Sequence, residues 1–368
     1  MPPRILLATA AAWLGVARVP RILAEAGARV CLLAHPRRPV ARSRHVAELF
    51  PAPRDTDGAL AALKRLLAGQ MFDWVILGDD EILRAAARDG GVPGLGMEDL
   101  LVSKAAFARA MASKGLPFPD AQVAIGPDAA RAAAGRIGFP VILKPDASTA
   151  GAGLFRADRP EDVGRVPEGA PYVVQRFVDG DVGSTAILLD GGRPLFWMSA
   201  FKSEVHPKPF GPSCVRRYVH VPGFEPRLEA LAAMLPGRRL CGVDWILPRG
   251  ASEPLFLELN ARPPPWVHLH ARFGADLPGA IRAMLAGAPV VVRPPERVSR
   301  PDVRMFPQDA IRALDEGDWK GFLRGFLAWG TGYDAPRGEP LLLLALRWQL
   351  VRRAWARLRG RSAGLGGA

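Results

Sequence analysis

The segment Gly242-Val243-Asp244-Trp245-Ile246-Leu247, followed after a polar stretch by Leu255-Phe256-Leu257-Glu258-Leu259-Asn260-Ala261-Arg262, constrains the chain more than any other feature. Two apolar strands joined by Pro248 to Pro254 read as a β-hairpin. With the turn centred on Ala251, Asp244 falls opposite Glu258. Side chains alternate along a strand, so Glu258 and Asn260 share one face while Leu257 and Leu259 share the other. Directly opposed carboxylates destabilise a hairpin, which predicts a cation between them. The three donors are hard oxygens that suit Mg²⁺ or Mn²⁺. Arg262, just past the strand, is placed to stabilise charge on a transferring phosphate. A solvated polar face would explain the alternation, but not an Asp, a Glu, an Asn and an Arg meeting at the paired register.

A second feature is a lysine inside an apolar strand, Val141-Ile142-Leu143-Lys144-Pro145. Burying an ammonium alone is costly, so Lys144 points to water or to an anion. The loop after it carries Ser148, Thr149, Gly151 and Gly153, small residues that let backbone N–H groups approach phosphate. An ordinary hairpin loop would look similar. The sequence contains neither the G-x-x-x-x-G-K-[ST] nor the G-x-G-x-x-G fingerprint, so the P-loop and dinucleotide signatures are excluded.

Around these features the pattern alternates strand and helix. Ile5 to Thr9, a helix over about Val16 to Ala26 ending at Gly27, Ala28 to Ala34 and Trp74 to Gly78 predict an open parallel α/β unit over 1–100. Asp79 and Asp80 follow its third predicted strand. They suit either a ligand site at a strand's carboxyl end or a helix cap. Ser103 is placed to cap a helix from Lys104, with Gly115 as its C′ residue. Strands are expected at 121–125, 141–144, 154–156, 172–178, 186–189 and 195–201. Helices are expected near 127–136 and 226–235. Lys202 to Arg217 reads as a basic loop running through a Pro- and Gly-rich stretch at 205–213, and fits either an anionic substrate or solvent. Lys202 is the single residue there assigned a substrate role. His268 and His270, two apart, do not share a helical face and read as packing residues. Residues 307–328 and 340–360 look helical.

Composition narrows the class. The three cysteines, Cys31, Cys214 and Cys241, have no C-x-x-C spacing, which argues against a disulfide framework and fits buried thiols in a reducing cytoplasm. Net charge is +13. Arg347, Arg352, Arg353, Arg357, Arg359 and Arg361 lie in a tail without an acidic residue. No zinc-finger spacing or RNP-type aromatic motif accompanies the charge, so nucleic acid is not an expected partner. No run of about 18 apolar residues predicts a transmembrane helix. Leucines, Trp348, Trp355 and arginines over 341–361 fit an interfacial helix touching a membrane surface. They equally fit a terminal helix docked on the enzyme with its basic face in water.

In order, Ser103-Lys104, Pro140 to Pro145, the glycine loop, Val173-Val174-Gln175-Arg176-Phe177-Val178, Asp181, Asp244 and Glu258 to Arg262 resemble the ATP-grasp superfamily. The resemblance covers about residues 1–290. The run from Glu258 to Leu277 is similar to carbamoyl-phosphate-synthase-like members. The resemblance implies an α/β (α+β grasp) fold. A Rossmann-like domain over 1–100 would precede a small grasp subdomain over 101–178 and a large one over 179–293 with the metal site. A helical extension over 294–368 would follow. It implies ATP and Mg²⁺ as cofactors, with Mn²⁺ as a substitute. Lys104 and Lys144 would contact phosphates, under a loop from Ser148 to Gly153. Gln175, Arg176, Phe177 and Val178 would line the adenine edge, and Asp181 would reach the ribose. Asp244, Glu258 and Asn260 would hold the metal, and Arg262 would steady the acyl phosphate; Lys202, chosen from the basic stretch and not from the resemblance, is the second candidate catalytic residue. The sequence departs from the family at Gln175 and Asp181, where Glu is usual, and at Ala261, where Pro is frequent. The implied activity joins a small-molecule carboxylate to an amine, or less favourably a thiol, through an acyl phosphate. Carboxyphosphate formation, phosphotransfer and a non-catalytic nucleotide-binding module are the alternatives.

Overall fold

The computed structural model describes residues 1–11, 14–92, 99–148, 151–288, 291–328 and 332–359. Apart from the third, the first four strands are nearly continuous apolar runs, as strands covered on both faces require. These are β1 (Arg4–Ala8), β2 (Arg29–Ala34), β3 (Glu48–Pro51) and β4 (Trp74–Leu77). They form a parallel sheet in the order β3-β2-β1-β4. Helices α1 (Val19–Glu25), α2 (Thr56–Gly69) and α3 (Asp80–Arg88) lie between or after them. The sequence pattern missed β3, whose four residues are only half buried. The predicted helix over 16–26 opens as a 3₁₀ turn, Leu14–Arg18. Gly27 takes φ +87° just past its end, the left-handed conformation expected of a C′ residue.

Helix α4 (Lys104–Ser113) leads to a four-stranded antiparallel sheet. It contains β5 (Ala121–Ile125), β6 (Val141–Pro145), β7 (Phe155–Ala157) and β8 (Pro171–Arg176), in the order β5-β8-β6-β7. Helix α5 (Gly126–Ile137) buries Ala130, Ala133, Ala134 and Ile137 against one face. The other face meets α4, where Val173 packs on Ala105 and Ala108.

The third sheet is antiparallel and six-stranded. It is built from β9 (Gly180–Asp190), β10 (Arg193–Val205), β11 (Ser213–Val219), β12 (Arg239–Pro248), β13 (Leu255–Asn260) and β14 (Asp302–Arg304), in the order β13-β12-β9-β10-β11-β14. Two expectations are corrected here. The basic loop expected over Lys202 to Arg217 shrinks to 206–212, because Lys202 to Val205 belong to β10 and residues 213–219 are strand β11. The region read as a helical extension also supplies β14 to this sheet. Among its helices, 307–328 divides into α8 (Gln308–Glu316) and α9 (Trp319–Leu327), with Gly317 at φ +81° between them. Helices α6 (Glu225–Ala232), α7 (Leu277–Leu285) and α10 (Pro340–Leu358) complete the chain.

One apolar cluster joins Leu6, Cys31, Ile82, Phe107, Trp245 and Phe256, and so runs from the parallel sheet through α4 into the six-stranded sheet. Trp245 sits edge-on to Phe201 and Phe224 and donates its indole N–H to Thr185 Oγ1 at 2.9 Å. Truncating so large a buried ring costs about 3–5 kcal/mol. Cys31, Cys214 and Cys241 are all buried free thiols.

A buried charged cluster bolts the carboxyl-terminal segment to the amino-terminal unit. Arg18 donates from Nη2 to Phe306 O at 2.8 Å, from Nη1 to Asp334 O, and pairs with Asp334 Oδ2 at 3.2 Å. Asp334 also accepts from Phe306 N at 2.5 Å and lies 2.8 Å from His268 Nε2. Burial and neighbouring Arg18 push His268 down to about 4. Nearby, Ser43 donates its hydroxyl to Glu339.

Candidate active site

Strands β12 and β13 pair antiparallel with Asp244 opposite Glu258 and Gly242 opposite Asn260, as strand alternation predicts. The ladder shifts between Asp244 and Trp245. The extra residue is Leu257 on β13, so Phe256 and not Leu257 stands opposite Trp245; by alternation Trp245 is anchored in the core while Asp244 faces away from it. Strand β9 carries Ser184 beside Asp244, and β10 and β11 pair Lys202 with Arg216. By alternation, Glu258, Asn260, Asp244, Ser184, Lys202 and Arg216 therefore share one face of the sheet.

Cations converge on this face. Lys202 Nζ lies 2.6 Å from Asp244 Oδ2. Lys104 Nζ lies 4.0 Å from Glu258 Oε2 and donates to Ser148 O at 2.8 Å. Its placement follows from the capping signal: Ser103 Oγ accepts from Ala106 N at 3.0 Å. Asp146 Oδ1 accepts from Ser103 Oγ and Ala105 N, tying the helix start to the end of β6. Burial pushes Lys144 down to about 8, against the pull of Glu258. Burial works to raise Glu258. Lys104, Lys144, Lys202 and Arg262 outweigh it and hold the carboxyl below its ordinary range.

Arg262 donates from Nε to Asp80 Oδ2 at 2.9 Å and lies 3.4 Å from Asn260 Oδ1. The pair Asp79-Asp80 thus divides its labour. Asp79 caps α3 through Glu81 N and Ile82 N and accepts from Thr9 Oγ1 at 2.5 Å and Ala10 N at 2.8 Å. Asp80 faces the site instead. A small cavity of about 50 Å³ is lined by Asp80, Lys104, Ser148, Glu258, Asn260 and Arg262. A larger cleft of about 750 Å³ opens beside Lys202 and is lined by Glu204, Lys208, Arg217 and Arg304 among others.

The glycine loop meets the far side of this region. Gly151 and Gly153 take φ of +77° and +72°, and a Cβ on Gly151 would strike the backbone of Phe210. Small residues here let the loop touch the Pro- and Gly-rich segment between β10 and β11. Thr149 lies outside the described residues. Gln175, on β8, is buried, and its Nε2 has no hydrogen-bond partner among the described residues. It shares its face with Lys144 and Val173 by register. Arg176 points the other way, to Asp120 at 2.8 Å, and its backbone N–H donates to Asp120 O. Phe177 and Val178 follow the strand; Phe177 N donates to Pro140 O, and its ring lies 4.2 Å from Arg156 Cζ. Asp181 departs from its expected position. It pairs with Leu247 on β9, is exposed, and by alternation lies on the face opposite Ser184 and Asp244. Val182 holds the site-facing position.

Sequence reasoning gave Arg216 no role of its own, because it read the residue as part of a loop. Only 4% exposed, Arg216 donates to Ser184 Oγ at 2.7 Å and stacks 4.7 Å from the Trp266 ring centre. Its Nε has no partner among the described residues. Burial pulls it down to about 10, opposed by Asp244. The signal available was the alternation Cys214, Arg216, Tyr218, which places an arginine among buried positions.

The donor set fits a magnesium ion: two opposed carboxylates and one amide oxygen are hard ligands. Magnesium is commonly held by one or two carboxylates plus substrate phosphates. Among the described residues there is no cluster of three or more His, Cys, Asp or Glu that could hold a metal unaided.

No protein-family model and no curated protein sequence matches the chain. Solved structures do. The ADP complex of purK, N5-carboxyaminoimidazole ribonucleotide synthetase, superposes with a TM-score of 0.64 at 14% identity, over 86% of this chain and 85% of that one. L-amino acid ligase from Bacillus licheniformis gives 0.55 at 16% identity, over 89% and 78%. The biotin carboxylase domain of 2-oxoglutarate carboxylase from Hydrogenobacter thermophilus, determined with MgADP, ADP and bicarbonate, gives 0.59 at 16%, over 78% and 70%. At such identities the likeness is one of fold.

Proposed function

Taking as premise that the chain has the ATP-grasp fold of these structures, we propose that it is a Mg-ATP-dependent ligase that joins a carboxylate to an amine through an acyl phosphate. The observation that carries this reading is the opposed pair Asp244 and Glu258, ringed by Lys104, Lys144, Lys202 and Arg262. Such a mixture of anions and excess cations is costly unless polyanionic phosphate and a divalent cation complete it.

A substrate carboxylate oxygen attacks the γ-phosphorus of ATP, the bridging bond to the β-phosphate breaks, and ADP leaves. The amine nitrogen then attacks the acyl carbon. A C–N bond forms, inorganic phosphate departs, and the amine proton passes to solvent. Asp244, Glu258 and Asn260 would hold magnesium, which when bound screens the phosphate charge. Lys104 and Lys144 bind phosphate oxygens, and the loop from Ser148 to Gly153 excludes water from the acyl phosphate. Arg262 steadies that intermediate. Gln175 offers its amide to the adenine edge, together with backbone groups of Arg176 and Val178. Lys202 and the buried Arg216, paired across β10 and β11 on the face that carries Asp244, support an anionic substrate.

The test is ADP release by the purified chain across panels of carboxylates and amines, with product mass naming the bond formed. Release that needs both substrates is expected. Release with bicarbonate alone would move the assignment to carboxyphosphate chemistry. Nucleotide binding without release under any condition would reduce the chain to a binding module.

A further inference from the structure

Helix α10 is docked by one face and open on the opposite one. Leu342, Leu346 and Leu350 are buried. Arg347 donates to Phe326 O and Leu327 O, both at 3.0 Å, and Arg353 pairs with Asp315 at 2.7 Å. Around the helix from these, Leu341, Leu344, Trp348, Val351, Trp355 and Leu358 recur at alternating steps of three and four. Each is 40% exposed or more, and Leu358 reaches 68%. An unbroken apolar seam over five turns ordinarily faces a partner. Helix α9 adds a second stripe, Trp319, Leu323 and Leu327, also exposed. Its carboxyl end abuts α10 through the Arg347 contacts. Most exposed large apolar side chains among the described residues lie on these two helices.

Charge decides the occupant. Arg352 and Arg359 edge the α10 seam, the latter 4.5 Å over the Trp355 ring, and Lys320 and Arg324 flank the α9 stripe. The sequence from Pro340 onward contains no acidic residue. A second copy of this helix would set arginine against arginine in either orientation, where paired helices need complementary charge. Paired tryptophans on an apolar stripe with cationic edges instead match the boundary between headgroups and acyl chains. No described helix is long and apolar enough to cross a membrane, so α10 would lie along the surface. We propose that the outer face of α9 and α10 docks on an anionic lipid bilayer.

The test is sedimentation of the full chain with vesicles of phosphatidylcholine alone or containing phosphatidylserine. The wild type is expected to pellet with the anionic vesicles, less so at raised salt. The triple variant Leu344→Ser/Trp348→Ser/Trp355→Ser is expected to lose at least about tenfold in partitioning. Its melting temperature controls for folding. Should it misfold, the exposed pair Arg352→Gln/Arg359→Gln carries the test by losing the preference for phosphatidylserine. Equal supernatant fractions with and without anionic vesicles would overturn the proposal. So would a concentration-dependent dimer in sedimentation velocity that the arginine pair strengthens.

Discussion

Two buried charged clusters occur in this chain, and they follow opposite rules. Around Asp334 every carboxylate oxygen is met by a donor from the protein: Arg18, His268 and the backbone N–H of Phe306. Around Glu258 the balance runs the other way. Four cationic side chains bear on the carboxyl and the nearest ammonium stands 4.0 Å off, while elsewhere on the two antiparallel sheets Gln175 Nε2 and Arg216 Nε have no partner among the described residues. The first arrangement satisfies its carboxylate from within the protein and holds distant segments together, although His268 Nδ1 has no partner among the described residues. The second is unfinished in protein terms, and unfinished polar networks are expensive unless a ligand shares them.

The sharpest way to break the comparison is to change one charged side chain in each cluster. Glu258→Gln is expected to cut amine-dependent ADP release roughly a thousandfold, while thermal melting shows the fold retained. Turnover near wild type would remove Glu258 from the metal set. Arg18→Ala should act in the converse sense. Leaving Asp334 buried and uncompensated costs about 3–5 kcal/mol in denaturant unfolding, with turnover per folded molecule little changed. A loss of activity without loss of stability would merge the two clusters into one.

A smaller effect sharpens the contrast through pH. Lys144 titrates near 8 in the folded chain against an ordinary 10.5. Between those values the unfolded chain binds more protons, so this group makes stability rise as pH climbs from about 8 to 10.5. Nucleotide affinity moves the other way. It falls above pH 8 by up to about tenfold per unit as the ammonium is lost. Calorimetric titration with ATP across this range checks the slope, and Lys144→Met should flatten it. An unchanged slope in that variant would assign the titration elsewhere.

Local chemistry made much of the site legible. The hairpin register, the cap at Ser103 and the buried Lys144 each follow from alternation or capping over a few residues. Relations between distant segments were not legible. Nothing near Arg262 announces Asp80, and nothing near His268 announces Arg18. Strand β11 was hidden because the segment before it is rich in Pro and Gly and its central residues, Arg216 and Arg217, are both basic, which mimics a loop. Asp181 shows the limit of matching residue types. The carboxylate is present, but strand periodicity turns it from the face where Asp244 and Ser184 stand. The resemblance named the grasp architecture, and the solved structures are similar to the chain at the level of fold, whereas the roles of individual side chains rest on the proposals above.

The bridge from Arg262 to Asp80 reaches across 182 positions of chain, from the hairpin's end to the first turn of α3. It makes the amino-terminal unit a tenant that cannot be evicted. Anyone grafting the two antiparallel sheets onto a foreign leading module must bring a carboxylate to that same corner, or the guanidinium proposed to steady the intermediate loses its holder. A cut near residue 100 would look clean on a domain diagram and would still run through the chemistry.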